Sequence, residues 1–175
     1  MNDHTHDLDP ALAKILALPG APYRDQPPMW LIGTLYKSAG FAVVAAHNGA
    51  THATGTYLAD AADIAMEWVA DVIAADWAVS GTHPSLDNIA DLIRAEYDRA
   101  HTKHDGNTPA NPAMSDHDRA AILLEEVGEV ARALTPDAKT PVGHAGNLAD
   151  ELIQTATMAA AWLQHLINQE EEAKA

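Results

Sequence analysis

The sequence predicts an all-α protein folded as a helical bundle, and three observations carry the prediction. Proline, glycine and asparagine cluster at 19–28, 48–55, 81–84, 106–112 and 135–146, cutting the chain into segments of helix length. The segments between these breaks are rich in alanine and other good helix formers. Only one of them, 29–47, leaves room for strands.

The first segment, 10–18, is a short helix with Asp9 as its expected N-cap. Segment 29–47 is long enough for a helix, but Gly33 and Gly40 interrupt its apolar run, and a strand pair is the alternative. Segment 56–79 reads as a helix with Asp60, Asp63, Glu67 and Asp71 in an arc of about 80° and Met66, Val69, Val72 and Ile73 opposite. That pattern predicts a solvated acidic face, with a second metal cluster as the sharper alternative. Segment 85–103 is a helix capped by Ser85 or Asp87. Segments 115–134 and 147–168 complete the bundle.

The 175 residues suit one domain, or one domain with a substantial extension. At 47% apolar and 20% charged they can bury a core. Residues 85–175 are expected to form the helical domain that carries the chemistry, and 1–84 a mostly helical N-terminal extension. The formal net charge of -15 argues against binding a nucleic-acid backbone or an anionic membrane through a basic patch. It leaves phosphorylated small molecules open if a divalent cation bridges the anions. With no cysteine there is no disulfide, thiolate zinc site or cysteine nucleophile. The polar, acidic first residues do not read as a secretory signal. The stretch 152–169 has no Asp, Glu, Lys or Arg, but Gln154, Thr155, Thr157, Gln164, His165 and Asn168 make it a poor membrane span. The expected location is the cytoplasm.

Only nine glutamates occur, and three fall at Glu125, Glu126 and Glu129. Leu123, Val127, Val130 and Leu134 make a narrow apolar stripe on that helix, with Glu126 on its flank and Glu129 further round. Two like charges one turn apart at the edge of a buried face call for neutralisation. Asn147, Asp150, Glu151 and Gln154 span about 100° at the start of the next helix. These acids also suit a positive helix N-terminus. A connection of a dozen residues makes the two helices antiparallel neighbours, so their acidic faces can meet. Carboxylates converging from two helices, without cysteine or histidine, form a hard-oxygen site for Mg²⁺, with Mn²⁺ as a substitute. Arg119 and Arg132 lie near enough in sequence to serve as phosphate ligands or as surface charges.

The strings Glu125-Glu126-Val127-Gly128-Glu129-Val130-Ala131-Arg132-Ala133-Leu134 and Leu148-Ala149-Asp150-Glu151-Leu152-Ile153-Gln154 together resemble the all-α nucleoside triphosphate pyrophosphohydrolases of the MazG-like group. The hallmark of that family is an ExxE motif on one helix and ExxD on the next. Glu126 and Glu129 match the first pair and Asp150 the final acid. Residues 93–104 resemble the family's first helix, which ends in a basic residue near the substrate phosphates. Asn147 stands where the second motif should open with glutamate, so either Asn147 is a neutral ligand or Glu151 takes over beside it.

The resemblance, which spans about residues 85–166, under half the chain, implies a helical bundle of the pyrophosphohydrolase type. It implies Mg²⁺ held by Glu126, Glu129 and Asp150, and hydrolysis of a nucleoside triphosphate to the monophosphate and pyrophosphate. Either Glu125 or Glu129 is then the general base. Lys103, Arg119 and Arg132 are candidate phosphate contacts, with Asn147 and Gln154 as further substrate contacts. It also implies a homodimer or homotetramer. The rival expectation is a non-catalytic nucleotide-binding or interaction module that keeps the fold. Trp162 reads as core rather than as a stacking platform. His101 and His104, one turn apart, read as surface or substrate-mouth residues. No Glu-x-x-His pair is present for a di-iron bundle.

Overall fold

Helix α6, Leu148–Glu172, is the axis of the molecule: from Thr155 to Leu166 every residue on it is buried. A helix covered on all sides must be apolar or small all round, which its run of alanine, leucine and Trp162 provides. The computed structural model describes residues 7–18, 23, 26–77, 85–135 and 148–175, and among them are six α-helices and no strand. Helices α1 (Asp9–Leu16), α3 (Thr51–Trp77), α4 (Leu86–Lys103) and α5 (Asp116–Ala133) all pack on α6, and α2 (Pro28–His47) lies across α3 and α5. One continuous core draws residues from all six helices, among them Leu12, Leu35, Ile64, Ile93, Leu123 and Trp162.

Gln164, a buried polar residue of α6, is used rather than merely tolerated. Helix α1 begins without a side-chain cap, because Asp9, the expected N-cap, is already its first helical residue and Leu8 precedes it. Its first-turn amide at Ala11 instead donates to the buried Gln164 Oε1 at 3.0 Å. That bond satisfies a donor left open at a helix start. Asp9 pairs with Arg94 of α4 at 2.8 Å, so the same short helix is tied to two neighbours.

Segment 29–47 is a single helix. Leu31, Leu35, Ser38, Ala42 and Ala45, spaced four and three apart, are its buried residues together with Ile32 and Ala39. That heptad spacing lines one helical face, whereas strand alternation would bury every second residue. The turn into α3 is shorter than the sequence suggested, because Gly49 alone supplies the left-handed backbone, at φ 67. Gly55 is inside α3 and faces α6, where an added Cβ would lie 3.5 Å from Leu163 Cδ1. It marks a close packing contact instead of a break. Ser85 caps α4, with Asn88 completing the reciprocal bonds of a capping box. Helix α6 runs past the expected end to include Glu170, Glu171 and Glu172.

The predicted solvated face of α3 is not solvated. Asp63 and Glu67 are 8% and 5% exposed, and Asp60 and Asp71 are half-buried, because α1, α2, α4 and α6 surround α3. Amphipathic spacing alone could not anticipate this, since it shows which residues share a face but not how many neighbours cover it. Loss of water pushes the Asp63 carboxyl up to about 6, and the nearby charges of Glu67 and Asp60 add to the shift. An acid whose pKa rises on folding holds its proton better in the folded state. Its contribution therefore falls as pH climbs from the ordinary aspartate range through 6. We expect Asp63→Asn to raise the melting temperature at pH 8, by the equivalent of about 1–2 kcal/mol. At pH 4 the gain should vanish. Thermal unfolding at the two pH values checks this, and a gain independent of pH would assign the effect to packing instead.

Candidate metal centre

Helices α5 and α6 run antiparallel, and their acidic faces meet. One carboxylate oxygen from each of Glu126, Glu129 and Glu151 lies within 4.8 Å of the others. Glu126 and Glu129 are half-buried and one turn apart on α5, held there by Leu123, Val127 and Val130 pressing into the core. Glu151 is wholly buried, in the first turn of α6. Gln154, one turn on, donates to Glu151 Oε2 at 3.3 Å.

Three carboxylates this close repel one another strongly in a partly desolvated place. Glu126 bears most of the burden: desolvation pushes it up to about 7, followed by the charges of Glu129, Glu151, Glu125 and Glu96. Its Oε2 is buried and accepts no hydrogen bond. Two things relieve such a group, a proton or a cation. The donor set is all carboxylate oxygen, which suits Mg²⁺ or Mn²⁺ and not a soft metal.

A cavity of about 280 Å³ opens beside this cluster, lined by Glu126 and Glu129 but not by the buried Glu151. Glu125, Glu126 and Glu129 form one wall, and α4 forms the opposite wall with Glu96, Arg99 and Lys103. Those three α4 residues share a helix face by their spacing. Arg99 grips Glu96 through two bonds of 2.6 Å each. Ile122, Met158 and Ala100 give the cavity an apolar side, and His104, Asn107, Thr108 and Pro109 close its far end.

The loop at that end is built by Arg119. Its buried guanidinium donates to the carbonyls of Pro109 (2.8 Å), Asn111 (2.6 Å) and Met114, and pairs with Asp116 at 3.0 Å. Arg119 therefore binds the protein's own backbone and lies outside the cavity lining, where a phosphate contact would have to be. Ahead of it, α4 stops at two left-handed residues, Asp105 (φ 50) and Gly106 (φ 79). Gly106 also lies against His101, whose ring would stand 3.1 Å from an added Cβ, so both backbone and space require glycine.

The other predicted residues separate clearly. Lys103, Glu125 and Gln154 line the cavity. Asp150 is exposed and borders a second, more open cavity of about 480 Å³ with Leu92 and Ile153. Glu96, Arg99 and Gln154 border both cavities. Asp150 thus stands outside the trio, and Glu151, the alternative partner, completes it. One residue along a helix turns a side chain by about 100°, which is the difference between these two positions. Arg132 is half-buried near the end of α5 and does not line the cavity. Asn147 lies outside the described residues. Trp162 is fully buried core. Glu96 and Arg99 were not anticipated. Their only sequence signal is an i, i+3 charge pair, which a solvated helix shows equally well.

A scan of family models and searches among curated proteins and solved structures return no match for the chain.

Two consequences are measurable. Without metal, Glu126→Gln removes a repelled, half-buried carboxylate whose pKa is raised on folding, so it should stabilise the protein at pH 8 by about 1–2 kcal/mol. The same substitution should abolish any rise in melting temperature on adding Mg²⁺. A variant that loses stability in metal-free buffer would show that the charge is already compensated. Arg119→Ala should cost about 3–5 kcal/mol by stranding three carbonyls, measured by denaturant unfolding. A loss under about 1 kcal/mol would contradict the clamp.

Proposed function

We propose that the chain is a Mg²⁺-dependent hydrolase that splits a nucleoside triphosphate, ribo or deoxyribo, into the monophosphate and pyrophosphate. One observation carries the reading: Glu126, which lacks a hydrogen-bond partner at Oε2, and Glu129 line a cavity with the buried Glu151 close behind them, and Arg99 and Lys103 line the same cavity. A polyanionic ligand needs both halves, since the carboxylates alone would repel it. The resemblance of the α5 and α6 strings to the MazG-like pyrophosphohydrolases points the same way.

Glu126, Glu129 and Glu151 would hold the divalent cation. When bound, such an ion neutralises phosphate charge and acidifies water. Glu125, exposed at the cavity mouth outside the trio, takes the proton from the attacking water. The water oxygen forms a bond to the α-phosphorus, and the bond from that phosphorus to the bridging oxygen breaks. Pyrophosphate leaves with the electron pair. Arg99 and Lys103 offset the charge that builds on the leaving group. The Glu96 carboxylate holds the Arg99 fork at the wall, so the guanidinium is oriented before the ligand arrives. The apolar side formed by Ile122 and Met158 receives the base or sugar. Gln154, bonded to Glu151, steadies the buried ligand from behind.

Purified protein incubated with a panel of NTPs and dNTPs plus Mg²⁺ tests the reading directly. Monophosphate and pyrophosphate should form, chelation should stop the reaction, and Glu126→Gln should lower kcat by about a hundredfold or more. Diphosphate and phosphate as products would move the attack to another phosphorus. Mg²⁺-dependent nucleotide binding without turnover would make the chain a binding module.

A further inference from the structure

We propose that the substrate is a dinucleoside polyphosphate, and that the cavity of about 480 Å³ beside the metal centre receives its second nucleoside. The inference rests on the hydrolase reading above and names its substrate class. The two cavities are consecutive stretches of one groove between α4 and α6, because Glu96, Arg99 and Gln154 border both. On one side of that border Lys103 of α4 and Met158 of α6 line the smaller cavity. On the other side Leu92 of α4 and Asp150 of α6 line the larger. Both helices therefore run along the groove in the same direction, from the larger cavity to the smaller. Between Leu92 and Lys103 helix α4 advances about 16 Å.

The chemistry of the groove changes along that length. Lys103 and Arg99 stand at the metal-centre end, where cationic side chains suit phosphate oxygens. The far end is wrong for phosphate. Arg99 is the only cation among the residues that line the larger cavity, and Glu96 already occupies its Nε and Nη2. The exposed Asp150 places a second carboxylate there. A bare terminal phosphate extending this way would meet two carboxylates and one guanidinium that is already paired. An uncharged group on that phosphate would meet no such repulsion.

What the larger cavity offers is apolar surface with an acceptor at its edge. Ile89, Ile93 and Tyr97 of α4 are buried in the core, whereas Leu92 is 40% exposed and lines this cavity with Ala95 and Ile153. A nucleobase can lie flat on such a surface, and the Asp150 carboxylate can accept from its amino group or from ribose hydroxyls. The volume falls within the roughly 300–1,000 Å³ of small-molecule sites, and the smaller cavity alone falls just under it. A ligand with an organic group at each end and phosphates between them matches this order. Water then bonds to the α-phosphorus of the nucleoside beside Ile122 and Met158, and its proton passes to Glu125. The bond from that phosphorus to the bridging oxygen breaks, and the second nucleoside leaves with the electron pair on its own terminal phosphate.

Initial rates with Mg²⁺ on diadenosine triphosphate, ATP and ADP-ribose test the proposal. Diadenosine triphosphate should yield AMP and ADP in equal amounts, with kcat/KM about tenfold or more above that of ATP. Leu92→Gln, at an exposed position outside the metal centre, should remove that advantage by raising KM and leave ATP turnover unchanged. ATP cleaved as efficiently as diadenosine triphosphate overturns the inference while the hydrolase reading stands. So does an advantage that Leu92→Gln leaves intact. A preference for ADP-ribose also overturns it, by giving the larger cavity to a sugar. If no compound is cleaved the hydrolase reading fails, and calorimetric affinity for the same three compounds with Mg²⁺ decides the inference. Equal affinity, or no binding, then overturns it.

Discussion

Three carboxylates that repel one another are held within 4.8 Å of each other by the packing of α5 on α6, and much of the structure follows from that constraint. Nothing in either helix alone would bring them together, since like charges one turn apart weaken a helix and like charges on facing helices push them apart. What overrides the repulsion is apolar burial on the opposite sides of both helices. Leu123, Val127 and Val130 anchor α5, and the continuous buried run of α6 fixes Glu151 in place. Burying a side chain of that size stabilises by about 1.5–3 kcal/mol, so a few such anchors outweigh a partly screened repulsion. The charge is the strained part of the fold, and the apolar packing holds it there.

The neighbouring loop obeys the same logic with the opposite sign. A buried guanidinium is as costly as a buried carboxylate unless its donors are used, and Arg119 uses them on three backbone carbonyls and Asp116. The loop after α4 also buries Thr108, Pro109, Ala110 and Met114. Arg119 thus organises the far end of the cavity, where Asn107, Thr108 and Pro109 stand. An arginine near an acidic motif reads in sequence as an anion ligand. Here neutral carbonyl oxygens of the chain itself, with Asp116, take up the donors instead.

How far the sequence reveals this molecule follows a consistent physical line. Helix periodicity and caps are local, so the helices, the Ser85 cap and the pairing of α5 with α6 were legible. The choice between Asp150 and Glu151 was not, because it depends on the rotation of α6 about its axis, and contacts with four other helices set that rotation. Glu96 and Arg99 were hidden for the same reason: their role comes from which face of α4 turns towards α5. The acids of α3 mislead most. Asp60, Asp63 and Glu67 follow a spacing that usually means solvent, and only the number of helices packed around α3 shows otherwise.

Buried acids on α3 and a buried acid trio at α5 and α6 leave the same question of how so acidic a chain accommodates its own charge. The molecule segregates it. Cations are few, and those at the cavity, Arg99 and Lys103, face the wall where carboxylates converge. Most of the other acids lie towards solvent, and on α3 Asp60 and Asp63 keep protons to a higher pH than usual. The field of the whole chain repels anions at a distance, but it is screened over about 8–10 Å in physiological salt, so close contacts decide binding. Within that range a ligand in the cavity meets a guanidinium, an ammonium and any cation held by the trio. The same field favours accumulation of divalent cations near the surface. An acidic protein is therefore well suited to bind a phosphorylated ligand together with its metal, and poorly suited to bind it without.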